Sequence, residues 1–278
     1  MQNTAISSGC IVCGGKHFKK LISVEGKNIV RCRRCGLVKT ENFKEPDYKK
    51  YHRDEEYQDF EARFRNIFLK RIQIIEKFFA EPGKVLEIGC SVGILLSILK
   101  EKGWEVWGVE PSKSAKTARK KEIKVINKIF EKASLPKGYF DLIILNHTLE
   151  HLENPLDILK KARTLLKKGG KIFVDVPNFG SLSSRILGKR WPYLAPREHH
   201  YHFEPKTLRK VIKKAGFKVI FESSHSGIFD WGNPVGGLYH ELLTRPRSFV
   251  KDFITAPGAL IVTLMGKGIS LSMLGKNI

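Results

Sequence analysis

Acidic side chains are scarce in this chain: 28 aspartates and glutamates stand against 50 lysines and arginines over 278 residues, leaving a formal net charge of +22. The imbalance makes the surface attractive to anions, whether nucleic acid, anionic lipid or charged metabolites. The basic residues are spread in pairs such as Lys120-Lys121, Lys160-Lys161, Lys167-Lys168 and Lys213-Lys214, which is also the pattern of solvated helix faces. Long apolar runs are missing too. The stretch Phe253 to Met265 counts 13 residues and is broken by Pro257-Gly258, well short of the ~20 that span a bilayer as a helix. Its flanks Arg245, Arg247, Lys251 and Lys267 are basic, so it could lie in an anionic membrane interface or pack on its own domain. Residues 1 to 9 hold neither a basic nor an apolar segment of the secretory kind, and a cytoplasmic location is expected. No internal repeat or low-complexity tract is visible.

What is present begins with Val85-Leu86-Glu87-Ile88-Gly89-Cys90-Ser91-Val92-Gly93, a short apolar strand that breaks into a glycine turn. A second strand, 105 to 109, ends on Glu110, 21 residues after Gly89. That matches the ~20 residues between the glycine turn and the ribose-binding acid of a nucleotide-binding βαβ unit. A dinucleotide fingerprint requires two further glycines, and Ser91 and Ile94 occupy their places. Glu87, just inside the turn, would repel a diphosphate yet attract the ammonium or sulfonium of S-adenosylmethionine (SAM). Charge therefore selects SAM over NAD.

The cysteines are few, five in all, and four are paired in Cys10-x-x-Cys13 and Cys32-x-x-Cys35 with 18 residues between the pairs. This spacing suits a tetrahedral zinc site. A disulfide pair is the competing reading, disfavoured in a reducing compartment. Gly14 and Gly36 follow the pairs as knuckle turns, and residues 24 to 30 read as the hairpin between them. A ribbon of residues 10 to 40 is too small to fold without its metal, so chelation is expected to unfold it and spare the rest.

At this point the chain resembles the class I SAM-dependent methyltransferases, and within them a branch acting on small molecules and glycans that often carries an N-terminal zinc ribbon. The likeness rests on the glycine turn, Trp107-Gly108-Val109-Glu110-Pro111-Ser112, Phe140 to His151, Leu166 to Gly170, Val176-Pro177-Asn178 and His199 to Phe203, in that order. It implies an α/β Rossmann-like sheet of seven strands with helices on both faces, and a ribbon over 1–44 ahead of a methyltransferase domain over 45–278. Expected strands are 84–88, 105–109, 124–127, 140–146, 171–176 and 217–222, with a last one, 269–274, after an excursion over 223–268. A helix is expected over 60–79, and others from Asn154-Pro155 to Gly169-Gly170 and from Glu204-Pro205 to Gly216.

The resemblance also implies roles. Glu87 would face the methionine end of SAM, Gly89, Cys90, Ser91 and Gly93 would form the turn around it, and Glu110 would accept both ribose hydroxyls. Phe130 and Glu131 would flank adenine, and Asn146 and His147 would sit beside the methyl donor. His199 and His202 match the family's His-x-Tyr-His-Phe run, so His147, His199 and His202 are the candidates for moving a proton; His200 stands at the variable position of that run. Arg63 and Arg65, on the helix before the core, read as a solvated helix face, with reach to the cofactor carboxylate as the alternative. His147 to His151 also spells H-x-x-E-H, the inverted metalloprotease motif, but it follows a buried strand instead of lying within a long helix. The expected acceptor is a small molecule, sugar or lipid-linked glycan. RNA is the alternative, although the base amino-methylation motif is missing after Asn146, and a non-catalytic SAM-sensing module is a third reading.

Overall fold

The structure, a computed structural model, describes residues 9–44 and 60–278. The segment with Tyr48, Tyr51 and Tyr57 lies outside the described residues. From the N-terminus come three short strands, β1 (Phe18–Val24), β2 (Lys27–Cys32) and β3 (Val38–Thr40), then helix α1 (Glu61–Glu76). The core alternates β4 (Lys84–Ile88), α2 (Ile94–Glu101), β5 (Glu105–Val109), α3 (Ser114–Lys120), β6 (Lys124–Ile126), β7 (Phe140–Asn146), α4 (Pro155–Leu165) and β8 (Leu166–Pro177). There follow α5 (Leu182–Leu187), β9 (Tyr201–His202), α6 (Pro205–Lys214), β10 (Phe217–His225), α7 (Pro234–Thr244), α8 (Pro246–Leu264) and β11 (Ser270–Asn277).

Seven strands form one sheet in the order β10-β11-β8-β7-β4-β5-β6. The central strands pair in parallel, and β11 inserts antiparallel between β10 and β8. Val85, Leu86, Leu142, Ile143 and Ile144 are fully buried, as expected of central strands covered on both faces by helices. Because parallel strands end together, the C-terminal tips of β4, β5 and β7 bring Gly89, Glu110 and Asn146 to one edge, where ligands bind in open α/β sheets.

Three expectations are corrected. The helix beginning at Pro155 stops at Leu165, and Gly169-Gly170 lies within β8. There the pairing with β7 slips between Phe140 and Leu142, and Gly169 takes φ +78°. The final strand runs from Ser270 to Asn277, so the excursion holds residues 226–269. The third correction lies in β8, which runs from Leu166 to Pro177 instead of 171–176, and within the excursion helix α8 continues through Pro257.

The ribbon is not an appendage. Its sheet order is β1-β2-β3-β9, with Val38 opposite His202 and Lys39 opposite Tyr201. The fourth strand thus comes from the histidine run of the methyltransferase part. Arg31 forks onto Glu204 at 2.6 and 3.1 Å, Lys210 donates to the Cys35 carbonyl and Lys214 to those of Ile11 and Val12. Cys10, Cys32, Cys35 and Leu37 share one apolar cluster with Tyr201, Phe203 and the core.

Candidate functional site

The glycine turn after β4 is shaped by steric necessity. Gly89 has φ +76°, and a Cβ there would stand 2.7 Å from Thr148 Oγ1; at Gly93, φ is +77° and a Cβ would meet Ile123 Cδ1 at 2.6 Å. Thr148 is held in place by donating to the carbonyls of Ile88 and Asn146, so it cannot withdraw cheaply. The turn bends back onto Glu110, whose two oxygens accept the backbone N–H groups of Ser91 (2.9 Å) and Ser112 (2.8 Å). This carboxylate is fixed in plane before any ligand arrives. Cys90 is buried, with its sulfur 2.5 Å from where a Cβ on Gly108 would lie, so it packs the turn against β5.

Glu87 is buried and its Oε2 has no hydrogen-bond partner. Burial, with the charge of Glu110 adding to it, pushes its carboxyl up to about 8. The Asn146 Oδ1 is likewise buried without a partner. Such unsatisfied atoms are costly in a folded protein, and a cationic group supplying N–H donors, such as the ammonium of SAM, answers that need. The donor set therefore fits the cofactor expected from the sequence. Entry of a cation should expel the proton from Glu87, so SAM affinity is expected to rise with pH up to about 8 and level off beyond it. Calorimetry in buffers of unlike ionisation enthalpy measures the released proton, and Glu87→Gln should abolish that release.

The other proposed cofactor residues are less directly placed. Phe130 is buried in the core with the Lys161 ammonium 4.8 Å from its ring centroid, so one ring face is already covered, while Glu131 is exposed. Asn127, which sequence reasoning did not single out, donates to the carbonyls of Glu110 and Ser112 and ties the strand ends together.

His147 follows β7 with φ +48°, a left-handed conformation uncommon for a side-chain-bearing residue and typical of functional sites. Its Nε2 lies 3.4 Å from Asp175 and its Nδ1 3.5 Å from Glu150, both buried carboxylates. Although desolvation alone would lower it, the neighbouring carboxylates of Asp175 and Glu150 raise the imidazole to about 9. Asp175 is itself clamped by Arg71, which donates to it through Nε and Nη2 and to Asp230 through Nη1 at 2.6 Å. Arg71 is 1% exposed. No local pattern in the sequence announced it, although it lies on α1 with Arg63 and Arg65. Those two are paired, Arg63 with Glu241 and Asp252 and Arg65 with Glu101.

His199 and His202 lie in the loop beyond and in β9. His199 Nδ1 faces the Tyr193 carbonyl at 3.0 Å, and burial holds its ring down at about 4, hence neutral. His202 Nε2 is 3.0 Å from Thr40 Oγ1, while that hydroxyl donates to the His199 carbonyl. Because Thr40 spends its proton on that carbonyl, its oxygen accepts from His202 Nε2–H, a bolt between ribbon and loop. His200 stacks on Phe43 with centroids 4.7 Å apart. Glu150, His151 and His199 bring one oxygen and two nitrogens within 4.8 Å of one another, a set that could take a divalent cation. The H-x-x-E-H segment forms a turn, not a helix.

The four ribbon sulfurs also lie within 4.8 Å of one another, with Cys10 to Cys35 at 3.3 Å and Cys13 to Cys32 at 3.5 Å. Backbone N–H groups of Val12 and Cys13 point at the Cys10 sulfur, and those of Arg34 and Cys35 at the Cys32 sulfur. Gly14 and Gly36 take φ +70° and +85° as the knuckle turns demand. A tetrahedral zinc would set the sulfurs ~3.8 Å apart, from Zn–S bonds of ~2.3 Å, so the donor set fits.

Residues 51–222 match the family model of the methyltransferase domain. Among similar proteins, an uncharacterized methyltransferase of a Geobacillus species is 28% identical over 192 residues, 64% of this chain and 89% of that one. A ubiquinone biosynthesis O-methyltransferase of Acinetobacter baylyi is 30% identical over 152 residues, 49% of this chain and 63% of that one. In fold, a SAM-dependent methyltransferase from Thermotoga maritima matches with a TM-score of 0.58 at 21% identity, covering 81% of this chain and 96% of that one.

Proposed function

The chain belongs to the methyltransferase domain family and is a SAM-dependent methyltransferase, and on that premise we propose that it methylates the oxygen of a small molecule with an acidic hydroxyl, seated over His147. The observation that carries this reading is the pair of carboxylates around His147. A ring with an anion opposite each nitrogen carries a proton on both. His147 is then an imidazolium at the end of β7 whose two N–H groups face Asp175 and Glu150, so it would act on an acceptor oxyanion through its positive charge and not as a hydrogen-bond donor or as a base. A phenol or enol, whose hydroxyl pKa of ~10 a neighbouring cation lowers toward neutrality, meets that demand; an aliphatic alcohol, far less acidic, does not.

SAM supplies an electrophilic methyl group, and the acceptor oxygen forms the new C–O bond as the C–S bond breaks with its electron pair going to sulfur. The protein's part is orientation and charge. Glu110 would take the ribose hydroxyls, Glu87 and Asn146 the amino-acid end, and the glycine turn lets the backbone come close. The charge of His147 would favour the acceptor oxyanion, with Asp175 and Glu150 setting the plane of its ring. His199, neutral and buried, would shape the wall of the acceptor site. The named activity of the O-methyltransferase relatives supports an oxygen acceptor. Sugars and lipid-linked glycans offer less acidic hydroxyls, and RNA has only the dispersed lysines in its favour. We propose further that Cys10, Cys13, Cys32 and Cys35 hold a structural zinc.

His147→Ala should lower kcat at least about tenfold, through loss of the positive charge beside the acceptor oxygen, and leave SAM affinity unchanged. The wild-type rate should fall as pH rises through about 9, where the imidazolium is lost, and the variant should lack that limb. The same protonation favours folding, because a raised histidine pKa stabilises fully below its unfolded value of ~6.5 and progressively less up to the folded one. Transfer of labelled methyl from SAM to a panel of phenols, aliphatic alcohols and amines tests the acceptor class. Faster transfer to amines, or an unchanged kcat in His147→Ala, overturns it.

A further inference from the structure

Between β10 and β11 the chain leaves the sheet as a two-helix hairpin, α7 and α8, and its outer face is unusual for a surface. Leu243, Val250, Phe253, Ile254, Ile261 and Leu264 are each more than half exposed. On α8 the positions 250, 254, 257, 261 and 264 fall on one stripe of a 3.6-residue helix, so the apolar residues are aligned and turned outward. A helix packed on its own domain buries such a stripe. Here it is left open.

The charges around the stripe are sorted by sign. The hairpin's two acids, Glu241 and Asp252, are turned inward, 3.3 and 3.2 Å from Arg63. Arg247 and Lys251 are exposed and Arg245 and Lys267 half-exposed, so the outward charge is positive. A second copy of the chain would set one cationic rim against another. An anionic lipid surface instead complements both features, taking the apolar stripe below the headgroups and the basic rim among them. None of the described helices is long and apolar enough to cross a membrane, which leaves the hairpin in the interface plane.

The base of the hairpin is joined to the methyl-transfer site. Asp230, four residues before α7, receives Arg71, which holds Asp175 against His147. We propose that the α7–α8 hairpin docks the enzyme on bilayers bearing anionic headgroups, and that its acceptor is an amphiphilic hydroxyl compound drawn from that bilayer. The second clause rests on the O-methylation reading; the first does not.

The test is co-sedimentation with vesicles of phosphatidylglycerol and phosphatidylcholine, and of phosphatidylcholine alone. Partition into the anionic vesicles should fall with salt, with each basic rim residue contributing roughly fivefold. The triple variant Phe253→Glu, Ile254→Glu, Leu264→Glu should lose at least tenfold in partition while its SAM affinity by calorimetry and its Tm stay those of the wild type. The charge variant Arg247→Gln, Lys251→Gln should lose part of the anionic preference. Equal binding of wild type and triple variant, or none by the wild type, overturns the docking proposal, as does a dimer in ultracentrifugation that the triple variant dissociates. Docking without faster transfer to vesicle-borne phenols than to soluble ones overturns the acceptor clause alone, and failure of transfer to every hydroxyl compound overturns the underlying reading.

Discussion

Arg71→Ala should destabilise the protein by about 3–5 kcal/mol, the range for breaking a buried ion pair by removing one partner. The side chain is fully enclosed and serves two carboxylates on different elements, Asp175 in β8 and Asp230 ahead of α7. Asp175 also accepts from Ser272 on β11, so the guanidinium joins α1, the sheet and the hairpin base. Without it the buried Asp175, beside His147, and the part-buried Asp230 are left without their cation. Arg71→Lys keeps the charge but cannot fork to both partners, and should fall between wild type and alanine. The charge of Arg71 holds Asp175 well below the usual carboxylate range despite its burial, so this stability is present at neutral pH and lost as pH falls. The penalty of Arg71→Ala should accordingly shrink toward pH 4, where the stranded carboxylates can take up protons. Urea unfolding at the two pH values measures both effects. A cost below 1 kcal/mol at pH 7 would show that the network is not what fixes Asp175.

Arg71 also marks where sequence reasoning stops. Strands β4, β5 and β7 are legible to the residue because each is a short apolar run closed by a glycine or polar turn, a pattern written in consecutive positions. The cysteine spacing and the acids at 87 and 110 are likewise local. Arg71 and Asp175 are 104 residues apart, and nothing near either one names the other. Strand β9 contains two residues, fewer than any alternation can reveal, so the union of ribbon and histidine loop stays hidden until the chains are paired. His202 illustrates the result. The motif marks it as a candidate for proton transfer, whereas its geometry gives its Nε2 to Thr40. In α8, Pro257 costs the helix one hydrogen bond, and the turns on either side carry it through.

Removing the zinc proposed for the ribbon should reach the methyl-transfer site, contrary to what spacing alone suggests. Structural zinc contributes about 10–16 kcal/mol in small domains, comparable to the whole stability of about 5–15 kcal/mol of a usual protein. The double variant Cys32→Ser, Cys35→Ser should therefore lose the ribbon's fold entirely, along with one zinc per chain by metal analysis. With β3 unfolded, β9 loses its backbone partner, His202 loses Thr40, and the His199 carbonyl loses the same hydroxyl. The loop that carries His199 is then held from one side. Displacing the wall of a site by even 1 Å can lower kcat about 10²-fold, and a loss of that size is expected. SAM affinity should change less than about threefold, because Glu87, Gly89 and Glu110 stand on β4 and β5, strands paired with each other and with β7 and β6, not with the ribbon. Hydrogen exchange provides the structural readout: protection should vanish at residues 29–40 and weaken at 199–203 while persisting at 84–88. Full kcat in the metal-free variant would mean that β9 and the histidine loop hold their shape without the ribbon, and that the shared sheet is a contact of packing alone.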